Sequence, residues 1–142
     1  MSYQSNVCTI NHVDHVGIAV EDLDASIKMY QKLFGAKMPD ILEDQAQGVK
    51  AAFISLGQTT IELLQGLGPE TIIARFVSKR GAGLHHLALN VDDIGDKLSM
   101  LKGAGIRLID QAPRQGLSGV IGFIHPGETQ GVLIELVQSQ ES

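Results

Sequence analysis

The apolar positions of this chain change period along its length. Between Val13 and Val20 they alternate: Val16, Ile18 and Val20 face one way, His15, Gly17 and Ala19 the other, which predicts a strand over 13–20. From Leu23 the spacing lengthens, and Leu23, Ile27, Tyr30 and Phe34 share one helical face. Asp22 is placed to cap that helix and Gly35 to end it. Strands are predicted over 36–43, weakened by Pro39, then over 49–56 and 59–65, the last two joined by a tight turn at Gly57-Gln58. Pro69 opens a short helix through Glu70–Lys79, apolar at Ile72, Ile73, Phe76 and Val77 and closed by Gly81-Ala82-Gly83.

The pattern then returns. A strand over 84–91 leads to a helix after Asp93, with Ile94, Leu98 and Leu101 inward and a stop at Gly103-Ala104-Gly105. Strands near 106–111, 119–124 and 131–138 follow. The repeat is visible residue by residue. His15 opens HVGIAVEDLDASIKMY, and 71 residues later His86 opens HLALNVDDIGDKLSML; Val20/Val91, Asp22/Asp93 and Met29/Met100 are identical. Ile61-Glu62-Leu63-Leu64 answers Ile134-Glu135-Leu136-Val137 at an offset of 73. The expected class is therefore α+β, two tandem βαβββ modules in one domain over residues 1–142. Module one covers about 12–66, a linker helix about 69–80 and module two about 84–138. The Gly/Pro/Gln-rich run Gln111–Gly119 interrupts the copy and is the expected mobile substrate loop.

Composition narrows the function classes. With 142 residues, 44% apolar and 19% charged, the chain reads as one ordinary globular domain. A formal charge of −5 gives no support to nucleic-acid or anionic-membrane binding, and no apolar run approaches the ~20 residues of a membrane helix. The start MSYQSNVCTINH has neither a basic stretch nor an apolar core, so a cytoplasmic location is expected. Cys8 is the only cysteine; with His12 four residues away it is a poor candidate nucleophile.

The repeat brings chemistry with it. Each half gives one strand with a His and one with a Glu: His15 and Glu62, then His86 and Glu135. A carboxylate alternating against apolar neighbours must find a partner, because desolvating it alone costs several kcal/mol. If helices cover the apolar faces, both Glu point to the opposite face, where the repeat also places both His. Two imidazoles and two carboxylates suit a divalent ion, and ligand softness does not choose among Co, Zn, Mn, Ni and Fe. The competing structural reading pairs each Glu with Lys or Arg across a sheet. His85 should face the helix layer in a structural role; His12 and His125 are read as non-ligands, with His125 a candidate substrate contact. Glu43 and Asp44 are read as solvated surface carboxylates.

These residues resemble a family. The paired βαβββ units with His/Glu/His/Glu are similar to the vicinal oxygen chelate superfamily, which includes glyoxalase I, extradiol dioxygenases and bleomycin and fosfomycin resistance proteins. Within it, G-A-G-L-H-H at 81–86, P-R-Q-G-L-S-G at 113–119, and F-I-H-P at 123–126 followed by G-V-L-I-E-L at 131–136 resemble the methylmalonyl-CoA epimerases, over roughly residues 12–138. The resemblance implies a curved, cup-shaped mixed sheet with helices outside, and His15, Glu62, His86 and Glu135 as ligands of one divalent metal. It implies interconversion of (2R)- and (2S)-methylmalonyl-CoA through a metal-stabilised enolate; inversion needs one base on each face, and Glu135 and Glu62 are the expected pair. Lys79, Arg80, Arg114, Gly116, Gly119 and His125 would contact the acyl-CoA. A homodimer is expected because open sheets leave edges to bury. The chain departs from the pattern where some relatives carry a further Glu on the third strand: here Val49-Lys50-Ala51-Ala52 stands instead. Ser118 and Gly127 also replace residues that are often His or Lys. The alternative is lactoylglutathione lyase, which uses the same metal shell; a drug-binding resistance protein would need no metal ligands.

Overall fold

The computed structural model describes residues 7–139. The chain divides into two compact units, one His15–His86 and the other the residues up to Asp14 together with those from Leu87 onward. Each carries the βαβββ pattern expected from the periodicity.

In the first unit, β1 (His12–Ala19) leads to α1 (Leu23–Phe34), then β2 (Asp40–Asp44), β3 (Val49–Leu56), β4 (Thr59–Gly66) and α2 (Ile72–Arg80). β1 pairs parallel with β4, β4 antiparallel with β3 and β3 antiparallel with β2. Asp22 caps α1 by accepting from Ala25 N, and Gly35 ends it at φ 67, a left-handed conformation that glycine adopts without strain. The helix lays Leu23 and Ile27 on Ala52, Ile54 and Leu63, with Ile18 and Ile61 against the same core. That settles the faces: Val16 and Ile18 turn to the helix, so His15, Gly17 and Ala19 turn away from it. α2 begins two residues later than expected. Thr71 is its cap, accepting from Ala74 N at 3.3 Å, and Pro69 lies in the turn before it.

The second unit runs β5 (Gly83–Asn90, from Leu87 on), α3 (Ile94–Gly103), β6 (Arg114–Gln115), β7 (Val120–Ile124), a 3-10 turn at Pro126–Thr129 and β8 (Ile134–Gln138). β5 pairs parallel with β8, β8 antiparallel with β7 and β7 antiparallel with β6. Asp93 caps α3, and Ile94, Leu98 and Leu101 pack on Leu108, Ile124 and Leu136. The two helix starts share a second device. Gln65 Oε1 accepts from Leu23 N at 2.7 Å, and Gln138 Oε1 accepts from Ile94 N at 2.9 Å. Each last strand thus satisfies one of the orphan N–H groups of its own module's helix.

One expected strand, 106–111, is not continuous. Residues 107–110 follow β7 but form only one bridge, Leu108 to Ile124. Ile109 N and Asp110 N both aim at Phe123 O, at 2.9 and 3.3 Å, so two residues face one and the ladder bulges. The regular edge pairing resumes at Arg114–Gln115, within the segment expected to be a loop. Gly116 N donates to Gly119 O at 2.8 Å and closes that hairpin. A Cβ at Gly119 would lie 2.5 Å from Gln138 O, which explains glycine there. Among the described residues no helix is long and apolar enough to cross a membrane.

Candidate metal centre

In the first unit the register builds a site on the face away from α1. Gly17 of β1 lies opposite Glu62 of β4, and His15 stands two residues before Gly17 on the same side. His15 and Glu62 are 2% and 5% exposed, and their atoms Nε2 and Oε2 are 3.4 Å apart. His86, at the end of this unit's chain, brings its Nε2 to 3.1 Å from His15 Nε2, the two rings edge to face. His15 is thus in buried contact with both a second imidazole and a carboxylate.

The rest of the site holds His86 in place. A Cβ on Gly17 would sit 2.2 Å from His86 Cε1 and 2.4 Å from its Nδ1, so the imidazole occupies the space a side chain would fill. His85 Nδ1 lies 2.9 Å from His86 Nδ1. His85 in turn packs edge-on against Phe76 of α2, and the Arg80 guanidinium lies over that ring, 5.6 Å from its centroid. His85 thus contacts α2 and orients its neighbour. Burial, then the nearby His15 and His85, lower the His86 pKa to about 3; burial and Arg80 lower that of His85. Both rings are held in the neutral form that a metal requires.

This donor set fits a divalent cation. His15 Nε2 stands 3.1 Å from His86 Nε2 and 3.4 Å from Glu62 Oε2, each the separation of two neighbouring ligand atoms on an ion with bonds of about 2.0–2.2 Å. The His86 ring is also oriented from its far nitrogen, as metal-ligating imidazoles are.

The second unit repeats the register. Glu135 of β8, 5% exposed, lies opposite Ala88 of β5, and Ala88 is two residues after His86 as Gly17 is two after His15. Its other neighbour is Phe123, just as Phe53 flanks Glu62. The remaining expected residues are dispersed. Lys79 and Arg80 are exposed in the last turn of α2, where cations favour the helix dipole. Arg114 bonds Asp110 through Nε at 2.8 Å and lies over the Phe123 ring at 5.6 Å. Gly116 and Gly119 make the hairpin turn. His125 caps the 3-10 turn, its Nδ1 accepting from Gly127 N at 2.9 Å. Glu43 pairs with Lys50, a position on the helix side of the sheet, opposite to the Glu62 face, and Asp44 accepts from Gln47 N in a turn. Neither is placed to serve the cluster. Sequence reasoning missed Gly17, the orienting role of His85, Asp110 and the two Phe. A signal existed only for the Phe pair, which recurs at an offset of 70.

Comparison with known proteins agrees with this geometry. The model of the Glyoxalase/Bleomycin resistance protein/Dioxygenase superfamily matches residues 14–123, a span that includes His15, Glu62 and His86. The chain belongs to this superfamily. Among its members, a mitochondrial methylmalonyl-CoA epimerase of Dictyostelium discoideum is 36% identical over 129 residues, 89% of this chain and 78% of that protein. An ethylmalonyl-CoA/methylmalonyl-CoA epimerase of Cereibacter sphaeroides is 39% identical over 132 residues, covering 91% and 98%. The crystal structure of methylmalonyl-CoA epimerase from Mycobacterium tuberculosis superposes with a TM-score of 0.89 at 34% identity, over 98% of this chain and 95% of that one.

Proposed function

We propose that this protein is a methylmalonyl-CoA epimerase, interconverting the (2R) and (2S) thioesters by removing the C2 proton from one face and returning a proton to the other. The observation that carries the reading is the buried contact of His15 with both His86 and Glu62, in a superfamily member whose relatives at 36% and 39% identity bear epimerase names. The four-ligand set His15, Glu62, His86 and Glu135 is supported by register: each Glu is buried opposite the residue two places after a His. The chemistry that a divalent ion (Co, Zn, Mn, Ni or Fe) supplies when held there is Lewis-acid stabilisation of negative charge on the thioester and carboxylate oxygens.

The chain's own residues do the rest. Glu135 accepts the C2 proton through a carboxylate oxygen, and Glu62, from the other module, acts on the opposite face. Positioned acid–base groups of this kind contribute roughly 10²–10⁴-fold each. A carboxylate oxygen cannot hold a cation tightly and take a proton together, so one of the pair loosens as substrate arrives. His15 and His86 stay fixed, His86 by Gly17 and His85. Ala19, Leu64, Ala88 and Val137, on the same faces as the two His and two Glu and at most 4% exposed, keep the surroundings apolar. Lys79 and Arg80 offset the coenzyme's phosphates, and the Gly116–Gly119 turn with His125 lines the acyl-CoA path. Both modules then belong to one catalytic domain, since each carries half of the set. A cytoplasmic homodimer completes the proposal; a monomer in sedimentation equilibrium at micromolar concentration removes the dimer.

The test is incubation of the metal-loaded protein with one epimer in D₂O, following C2 deuterium and loss of chirality, against an EDTA-treated control. Metal-dependent exchange with racemisation is expected. No exchange with metal bound would turn the assignment toward glutathione–methylglyoxal chemistry, which is assayed directly.

A further inference from the structure

We infer that Arg114, held by Asp110, reads the free carboxylate of the acyl group, and that Asp110 is a positioning residue for this reaction. The inference rests on the epimerase reading. Asp110 is only 14% exposed in its side chain and works in two directions. Its Oδ2 accepts from Phe123 N at 2.8 Å, while its Oδ1 accepts from Arg114 Nε at 2.8 Å. The first bond pins β7 at the bulge; the second fixes the guanidinium by its inner nitrogen.

Fixing Nε has a geometric consequence. The guanidinium is a rigid planar fork, so holding Nε directs the two terminal nitrogens outward, the arrangement that binds a carboxylate through parallel bonds. The Arg114 side chain is 42% exposed and lies over the Phe123 ring, which stiffens it further. Register gives the location. Arg114 pairs with Ile121, two residues from Phe123 on the same side of β7, and Phe123 pairs with Glu135. Cross-strand neighbours stand about 5 Å apart, so Arg114 starts two strands and two residues from the proposed base, and its guanidinium over Phe123 lies beside the residue that pairs with Glu135. In an α-carboxyl thioester the carboxylate is bonded to the very carbon that Glu135 would deprotonate. The coenzyme's phosphates are separated from it by the whole pantetheine arm. The acyl carboxylate is therefore the anion within reach.

The test compares malonyl-CoA and acetyl-CoA, which differ by that carboxylate alone. Their affinities are measured by calorimetry on the metal-loaded full chain, for the wild type, Arg114→Ala, Arg114→Lys and Asp110→Asn. The wild type should prefer malonyl-CoA, and Arg114→Ala should weaken malonyl-CoA about 10- to 100-fold, the range of a charge-assisted bond, with acetyl-CoA unchanged. Arg114→Lys should restore part of the preference. Asp110→Asn should raise KM more than it lowers kcat, and circular dichroism checks that it folds. Equal weakening of both thioesters by Arg114→Ala would assign the residue to the coenzyme and overturn the inference. So would an unchanged ratio. If the wild type binds neither thioester, the epimerase reading falls and takes this one with it.

Discussion

Gly17→Ala is the most economical way to break the proposed centre without touching a ligand. The added methyl would lie 2.2 Å from His86 Cε1, 2.4 Å from Nδ1 and 2.7 Å from Nε2, so the whole ring is in its path. Reaching ordinary contact, which begins at 3.4 Å, requires the imidazole or the strand to move by roughly 1.2 Å. Backbone movement is resisted, because β1 is in register with β4 from His15 to Ala19. The ring must give way, and it then loses the 2.9 Å contact to His85 Nδ1 and the 3.1 Å convergence with His15 Nε2.

Two effects of different size follow. Overpacking of this kind costs about 1–3 kcal/mol, which leaves a domain of this length folded but a few degrees less stable. Displacing a ligand and its orienting partner weakens metal binding by at least about 10–100-fold. The assay is metal content by mass spectrometry after dialysis, alongside thermal melting of the metal-free protein. Gly68→Ala is the control, since nothing lies within 4 Å of a Cβ there. Metal retained at the wild-type stoichiometry in Gly17→Ala would refute the argument that this glycine makes room for a ligand.

Three further outcomes are expected. Glu135→Gln and Glu62→Gln, each supplied with excess metal, should lose C2 exchange by about 10²-fold or more; full exchange in Glu135→Gln with metal bound would show that it is not a base. Lys79→Ala and Arg80→Ala should each raise KM with kcat little changed, and unaltered kinetics would return them to a role in ending α2. Burial raises the Cys8 pKa above its ordinary value of 9.0. The unfolded thiol then ionises first, so stability should fall as pH rises from that ordinary value toward the higher folded one, a slope that Cys8→Ser should abolish in denaturant titrations. In the native state iodoacetamide should modify Cys8 more slowly than in urea.

What the amino-acid order disclosed follows from the kind of interaction involved. The βαβββ order was legible because each element has its own hydrophobic period, and the repeat let one half check the other. His15, Glu62, His86 and Glu135 stood out for the same reason: polar residues recurring at fixed places in apolar strands. The bulge at Ile109-Asp110 left no mark, since it depends on a carboxylate taking Phe123 N from across the sheet. The start of α2 was misjudged because Pro69 carries the stronger local signal, while Thr71 caps only through its bond to Ala74 N. Gly17 carried no sign of its role; only the approach of His86 shows what fills the space beside it. Glu43 could be set aside only once register placed it with Lys50 on the helix side.

The duplicated module has a chemical logic, and so does its one asymmetry. Inversion at a carbon needs two proton-handling groups, one for each face, and a repeated βαβββ unit produces two carboxylates in equivalent settings. Glu62 lies between Gly17 and Phe53, and Glu135 between Ala88 and Phe123. The substituents on the carbon are not equivalent, however, and a perfectly symmetric site could not tell a carboxylate from a methyl group. The edge strands supply the difference. Arg114 pairs with Ile121, two residues before Phe123; the corresponding position, opposite Ala51 and two residues before Phe53, holds Leu42. Leu42 is 47% exposed, an apolar side chain where the other module offers a cation. One module thus presents a group suited to an anion and the other a group suited to a hydrocarbon. Replacing Leu42 with Arg would restore the symmetry of the edges, and the reasoning requires that this variant discriminate less well between methylmalonyl and malonyl thioesters while keeping its metal.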